Sequence, residues 1–323
     1  MSGPAGPFAR LLHLGNVVVD VVLTIPALPE PGADVLATST ETAAGGGFNV
    51  MAAARRHGLP VGYAGAIGSG PFAEVARAAC AAEGIEMLQP AKPGVDTGFV
   101  ISVVDGAGER TFLTSRGAEA TVTAADLARV RPGPQDAVYL SGYGLAHPAN
   151  RAALLGWLEQ LDDGRIVIFD PGPLVPALPA GALSTVLGRA DWLTCNAREA
   201  TLLTGAQDPQ HALALLTQRS GRAGVLVRTG PDGCLLGRRG SPVRHVPGFA
   251  VAAVDTNGAG DTHTGVFLAA LAGGAAGAEA VRRANAAAAL SVTRRGPATG
   301  PTRAELDLFL GSWPGGAEPA GAE

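Results

Sequence analysis

The 323-residue chain carries 28 acidic against 24 basic side chains, a formal net charge of −4, with 47% hydrophobic and 16% charged residues. That balance suits a globular domain with a sizeable core and recommends neither nucleic acid nor an anionic membrane as partner. No apolar run approaches the roughly 18 residues of a membrane span, and MSGPAGPFAR lacks the apolar segment of a secretory signal, so a cytoplasmic location is expected.

LLHLGNVVVD (11–20) predicts a first strand, and FNVMAAARRHG (48–58) a helix closed by Gly58. VGYAGAI (61–67) predicts a strand and PFAEVARAACAAEG (71–84) a helix ended by Gly84. AVYL (137–140), RIVIFD (165–170), DWLTC (191–195) and GVLVR (224–228) are short, continuous apolar runs. Such runs suit parallel strands covered on both faces. Helices over 149–161, 197–204 and 209–219 supply the crossovers. The expected fold is a doubly wound α/β architecture, a mostly parallel sheet with helices on both faces.

Two stretches break this rhythm. VLTIPALPEPGADVLAT (22–38) is proline-rich, and TGFVISVVDGAGERTFLTSRG (97–117) predicts two strands joined at DGAG. Segments of about 22–42 and 97–117 are therefore expected to form a small β-sheet lid on a domain spanning 11–310. GSWPGGAEPAGAE (311–323) predicts a disordered tail. The cysteines Cys80, Cys195 and Cys234 show no CxxC spacing and read as buried thiols. Lys92 is the sole lysine, in QPAKPGVD, so neither a Walker A loop nor the strand lysine of a protein kinase is available. Phosphate chemistry here must rely on backbone amides, arginine and metal.

VDTNGAGDTHTG (254–265) carries the chemistry. Gly258, Ala259 and Gly260 at a helix start present bare N–H groups to an anion. Asp261 at the mouth of that site repels phosphate, yet is placed to take a proton from a hydroxyl that attacks phosphate. A plain helix cap would need an Asp but not the whole block.

The segments in series resemble the PfkB, or ribokinase-like, carbohydrate kinases. DTNGAGD is similar to that family's C-terminal signature and AGGGFNVMAAARRHG (44–58) to its N-terminal one. GNVVVD (15–20) with LPEPG (28–32) matches the opening, and NAREATLLTG (196–205) the NxxE segment. VRTGPDGCLL (227–236) looks like the nucleotide-holding turn, and ANAAAALSVTRRGP (284–297) like the terminal helix and cation loop. The resemblance implies an ATP-dependent sugar kinase with Mg²⁺ as cofactor, acting on a hydroxymethyl group.

Residue by residue, it implies that Asp20, Gly45, Gly46 and Asn49 bind the sugar, with Asp20 closing the first strand. Asn196 and Glu199 would organise Mg²⁺ and its waters, although N-x-x-E also fits a capping box. Thr229, Gly230 and Gly233 would face the nucleotide, and Asn285 and Ser291 the adenine. Asp255, Asn257, Ser291, Arg294, Gly296 and Gly300 align with a loop that holds a monovalent cation such as K⁺ in ribokinase. Lid sheets of the family often pair between subunits, which implies a homodimer. The chain departs at Ala44, at Ser69–Gly70–Pro71, where relatives carry an acid, and at His263. Arg55 and Arg56 read as solvent-facing, which leans toward an uncharged sugar. A nucleoside kinase or a non-catalytic sugar or nucleotide sensor are the alternatives. A dinucleotide oxidoreductase fails, because no GxGxxG follows the first strand.

Overall fold

Side chains of the apolar runs alternate between two buried layers. Leu11, Ala137, Tyr139, Ile168 and Trp192 belong to one cluster, and Leu12, Val138, Leu140, Phe169 and Leu193 to the other. Alternation with both faces buried requires a sheet covered on both sides. The computed structural model describes residues 6–107, 109–220 and 222–313. Its strands are β1 (Arg10–His13), β2 (Val17–Thr24), β3 (Ser39–Gly46), β4 (Val61–Tyr63), β5 (Glu86–Met87), β6 (Phe99–Val104) and β7 (Arg110–Ser115). Then follow β8 (Asp136–Ser141), β9 (Ile166–Asp170), β10 (Trp192–Asn196), β11 (Gly224–Arg228), β12 (Gly233–Gly237) and β13 (Arg244–Pro247).

The larger sheet runs β13-β12-β11-β10-β9-β8-β1-β4-β5. Neighbours are parallel from β11 to β5, and β12 and β13 are antiparallel. The strand order reverses between β1 and β8, and doubly wound sheets as a class bind ligands outside the carboxyl ends of their strands near such a reversal. The smaller sheet, β3-β2-β6-β7, stands apart.

Several expectations need correction. LLHLGNVVVD is not one strand: β1 joins the large sheet and β2 the small one. The chain turns at Gly15, where a Cβ would lie 2.5 Å from the His13 ring. Asp20 therefore sits within a strand of the small sheet, rather than closing a strand of the large one. The small sheet also takes in residues 17–24 and 39–46, wider than the 22–42 expected. At the C-terminus, helix Arg303–Ser312 extends past residue 311, and Trp313 packs 5.0 Å from Phe249 and 5.1 Å from Phe309. The rest of the expected tail, 314–323, lies outside the described residues.

Two local substitutions also resolve. Helix Pro71–Ala82, lacking an acid at 69–71, borrows Asp96, which accepts the N–H groups of Phe72 (3.1 Å) and Ala73 (2.8 Å). Burial works against the Asp96 charge, yet these bonds hold its pKa below the usual carboxylate value. Arg55 and Arg56 do not point to solvent. Arg55 donates to the Glu83 carbonyl, and Arg56 to the Glu83 carboxylate and the carbonyls of Ala298 and Gly300.

Candidate active site

Neighbouring strands of the large sheet end in register, Ser141 beside Asp170 and Asn196 beside Arg228. This puts polar side chains side by side at the carboxyl edge. Helix Ala259–Ala272 begins over that edge, with Gly258 at its N-cap in the left-handed region, φ 72°. Helices at Ala197, Pro209 and Arg303 are capped by side chains; this one is not. Its first intrahelical bond runs from Thr262 N–H to Gly258 O at 2.8 Å, and Ala259 N–H makes only a 3.4 Å bond to Thr256 O. The donors before Thr262 are thus left largely open, a ready anion site.

Asp261 lies in that first turn, half-buried, and its Oδ2 accepts from Asn49 Nδ2 at 3.0 Å. Burial lifts the Asp261 carboxyl to about 7; the Asn49 bond and Arg228 pull it down, while Asp170 and Asp20 push it up. Asn49 packs beneath Gly258, where a Cβ would come within 3.4 Å of its Nδ2. Its Oδ1 is buried and has no partner among the described residues. Asp20 lies across Gly45, at which a Cβ would sit 2.2 Å from Asp20 Oδ2, and burial lifts its carboxyl to about 6. Gly46 takes φ 62°, a left-handed turn into helix Gly47–Arg56. The structure therefore brings Asp20, Gly45, Gly46, Asn49, Gly258 and Asp261 together.

On the other side of the turn is a cavity of about 550 Å³. Gly230, Gly233, Phe249, Val251, Ala259, Gly260, His263, Asn285 and Val292 are among its walls. Asn285 spends its amide on the carbonyls of Val246 and Pro247 and accepts from His263 Nε2 at 3.0 Å. Burial pushes His263 down to about 3, so the ring is neutral. Thr229 and Ser291 do not line the cavity. Their hydroxyls donate to Gly233 O (3.0 Å) and Ala288 O (2.8 Å).

Asn196 and Glu199 form the capping box: Glu199 N–H donates to Asn196 Oδ1 and Asn196 N–H to Glu199 Oε2, both at 2.8 Å. Arg228 was not singled out in the sequence, yet it is central. It donates to Thr194 and Thr264 hydroxyls, and its Nη2 lies 3.3 Å from Asp170 Oδ2 and 3.7 Å from Glu199 Oε2. Burial alone would lower its pKa, but these carboxylates raise it. Asp170 was missed too. The available signal was a charge closing a buried apolar run, in RIVIFD and GVLVR alike.

Asp170 and Glu199 offer a sparse, oxygen-only donor set, which fits a Mg²⁺ ion that keeps most of its water. Among the described residues, no group of three or more His, Cys, Asp or Glu could hold a metal ion by itself. The set drawn for a monovalent cation fits poorly: Asp255 accepts from Arg110, Asn257 N–H and Gly296 N–H, and the Gly300 carbonyl from Arg56.

Residues 9–304 match the model of the pfkB family carbohydrate kinases. The chain belongs to this family. It is 33% identical over 302 residues to the uncharacterized sugar kinase YegV of Escherichia coli, covering 92% of this chain and 93% of that one. It is 31% identical over 310 residues to the ribokinase of Haemophilus influenzae, covering 93% and 98%. Among solved structures, ribokinase from Thermotoga maritima superposes with a TM-score of 0.79 at 26% identity, covering 94% and 100%. A putative ribokinase II from Escherichia coli in complex with ATP and Mg²⁺ shares the fold at 22% identity, TM-score 0.79, covering 94% and 99%. The carbohydrate kinase is an α/β protein with a large, mostly parallel sheet flanked by helices and a small separate sheet. Among the described residues no helix is long and apolar enough to cross a membrane.

Proposed function

We propose that the protein transfers the γ-phosphoryl group of ATP to a hydroxymethyl group of a sugar in the cytoplasm. The observation that carries the reading is the position of Asp261. Its carboxyl stands at an uncapped helix start, between the large cavity and the Asp20–Gly45–Asn49 cluster. The cavity, apolar toward Phe249 and Val251 and open to N–H donors at Gly260, suits adenine at one end and phosphates at the other. On the opposite side, Asp20 and the free Asn49 Oδ1 can accept from sugar hydroxyls, while Gly45 lets the ring approach the backbone.

In the reaction, the acceptor oxygen bonds to the γ-phosphorus as the bond to the β,γ-bridging oxygen breaks, and ADP leaves. Asp261 takes the hydroxyl proton. The amides of residues 258–260 face the charge on the moving group. Arg228, fixed between Asp170 and Glu199 within reach of Gly260, adds a positive charge at the phosphate end. Mg²⁺ bound with the nucleotide would neutralise phosphate charge, held through water by Glu199 and Asp170. Edge strand β7 leaves Phe112 56% and Leu113 59% accessible, one on each face of the small sheet, and this unpaired apolar edge supports pairing with a second copy.

An ATP-consumption screen over pentoses, hexoses, their phosphates and nucleosides tests this. One uncharged sugar is expected to give the highest kcat/KM. A nucleoside in first place would move the assignment to the nucleoside kinases, and consumption with no acceptor would overturn it.

A further inference from the structure

Three arginines converge on the loop behind the open helix start. Arg110, on strand β7 of the small sheet, places Nη2 2.7 Å from Asp255 Oδ1. That oxygen also accepts Asn257 N–H at 2.9 Å, and Asp255 Oδ2 accepts Gly296 N–H at 3.1 Å. Arg56 donates to the carbonyls of Ala298 (2.6 Å) and Gly300 (2.8 Å), and Arg294 to that of Thr299 (3.4 Å). The Val292 carbonyl receives two N–H groups, from Val254 at 2.7 Å and Asp255 at 3.0 Å.

A monovalent ion needs a ring of such oxygens in place of its hydration shell. Here the oxygens are already spent on donors, and with Arg110 seated on Asp255 its charge repels a further cation, so only removal of Arg110 opens the carboxylate to one. The loop nevertheless needs a holding charge. Gly258, Gly296 and Ala298 all take left-handed backbone angles, φ 72°, 97° and 52°, and Ala298 carries a side chain there. Backbone of this kind persists only when its surroundings over-determine it.

We propose that the Arg110 guanidinium is the cation of this loop, standing in place of a monovalent ion and tying the small sheet to the segment that opens helix Ala259–Ala272. A planar fork of donors suits the task better than an ammonium group, because it bonds in fixed directions. An ion from solution would hold the loop whatever the small sheet does. Arg110 holds it only when that sheet is seated, so acceptor enclosure and the order of the phosphoryl-transfer loop become one event. The positioning role of Arg110 in turnover rests on the kinase reading above; its structural role does not.

The test compares wild type, Arg110→Gln and Arg110→Lys in KCl and in choline chloride at equal ionic strength. Thermal melting comes first and needs no substrate. Wild type is expected to melt at the same temperature in both salts. Arg110→Gln is expected to melt about 3 °C lower in choline chloride and to regain part of that loss in KCl, with Arg110→Lys between the two. With ATP and the sugar accepted in the screen, kcat of Arg110→Gln should fall about tenfold in choline chloride, the loss of one charge-assisted hydrogen bond. KCl should restore part of it, with KM for ATP steady. Wild type melting higher and turning over faster in KCl than in choline chloride would overturn the proposal. So would an Arg110→Gln variant equal to wild type, or one whose loss no potassium recovers, since that describes an ordinary ion pair. Failure of every sugar in the screen would sink the kinase reading while the melting experiment still decides this one.

Discussion

In its proposed role as base, Asp261 must be ionised to accept a proton, yet its surroundings favour the neutral form. Burial lifts its carboxyl to about 7, against an ordinary value near 4. As a base it is competent only above its own pKa, so kcat/KM should rise with pH and level off above about 7. The same shift bears on stability. Between about pH 4 and pH 7 the folded state holds a proton that the unfolded chain has released, so stability falls as pH rises through that window. Above it the penalty is fully present. Asp261→Asn removes the charge and keeps an oxygen to accept from Asn49. It should melt about 2 °C above wild type at alkaline pH, and the gain should vanish toward pH 4. A variant that melts lower throughout would contradict this electrostatic account. At this scale the sequence singles out Asp261 as the candidate base, because a glycine-alanine-glycine turn precedes it at a helix start. It is silent on Arg228, which Asp170 reaches from strand β9 and Glu199 from helix Ala197–Thr204.

Elements were legible wherever one local pattern governed them. The apolar runs that became β8 to β11 and the helices over 197–204 and 209–219 stand where the spacing put them. The break within 11–20 was hidden, because both halves are equally apolar and only the fold shows which sheet each one joins. Helix Pro71–Ala82 had no visible acid at its start, since Asp96 reaches it from a later segment. The last helix outran expectation because Trp313 finds an aromatic partner in Phe249, far away in sequence. The glycine turn before helix Gly47–Arg56 yields a sharper test. A Cβ at residue 45 would strike Asp20 Oδ2 at 2.2 Å, and Gly45 is not among the glycines with left-handed φ. Gly45→Ala should therefore displace the Asp20 carboxyl without straining the backbone. Steady-state kinetics should show KM for the sugar rising about tenfold, the value of a lost hydrogen bond to a charged group, with KM for ATP unmoved. An equal rise in both constants would place Asp20 outside the sugar site.

For the whole molecule, the strand order reverses beside β1, and the small sheet reaches across to the loop at Asp255. Every residue of β7 is exposed, including Phe112 and Leu113, an edge that a lone copy would present to aggregation. Sedimentation velocity should find a dimer for wild type and a monomer for Phe112→Glu; a wild-type monomer would contradict the pairing. Such contacts between distant segments are what the sequence could not display, whereas the fold class was readable from rhythm alone.

The central claim is tested most directly by following phosphate transfer from γ-labelled ATP to the accepted sugar in Asp261→Asn, with ATP affinity measured by calorimetry on the same preparation. The account predicts a loss of turnover of about 10²-fold or more with ATP affinity preserved. Turnover close to wild type would contradict it.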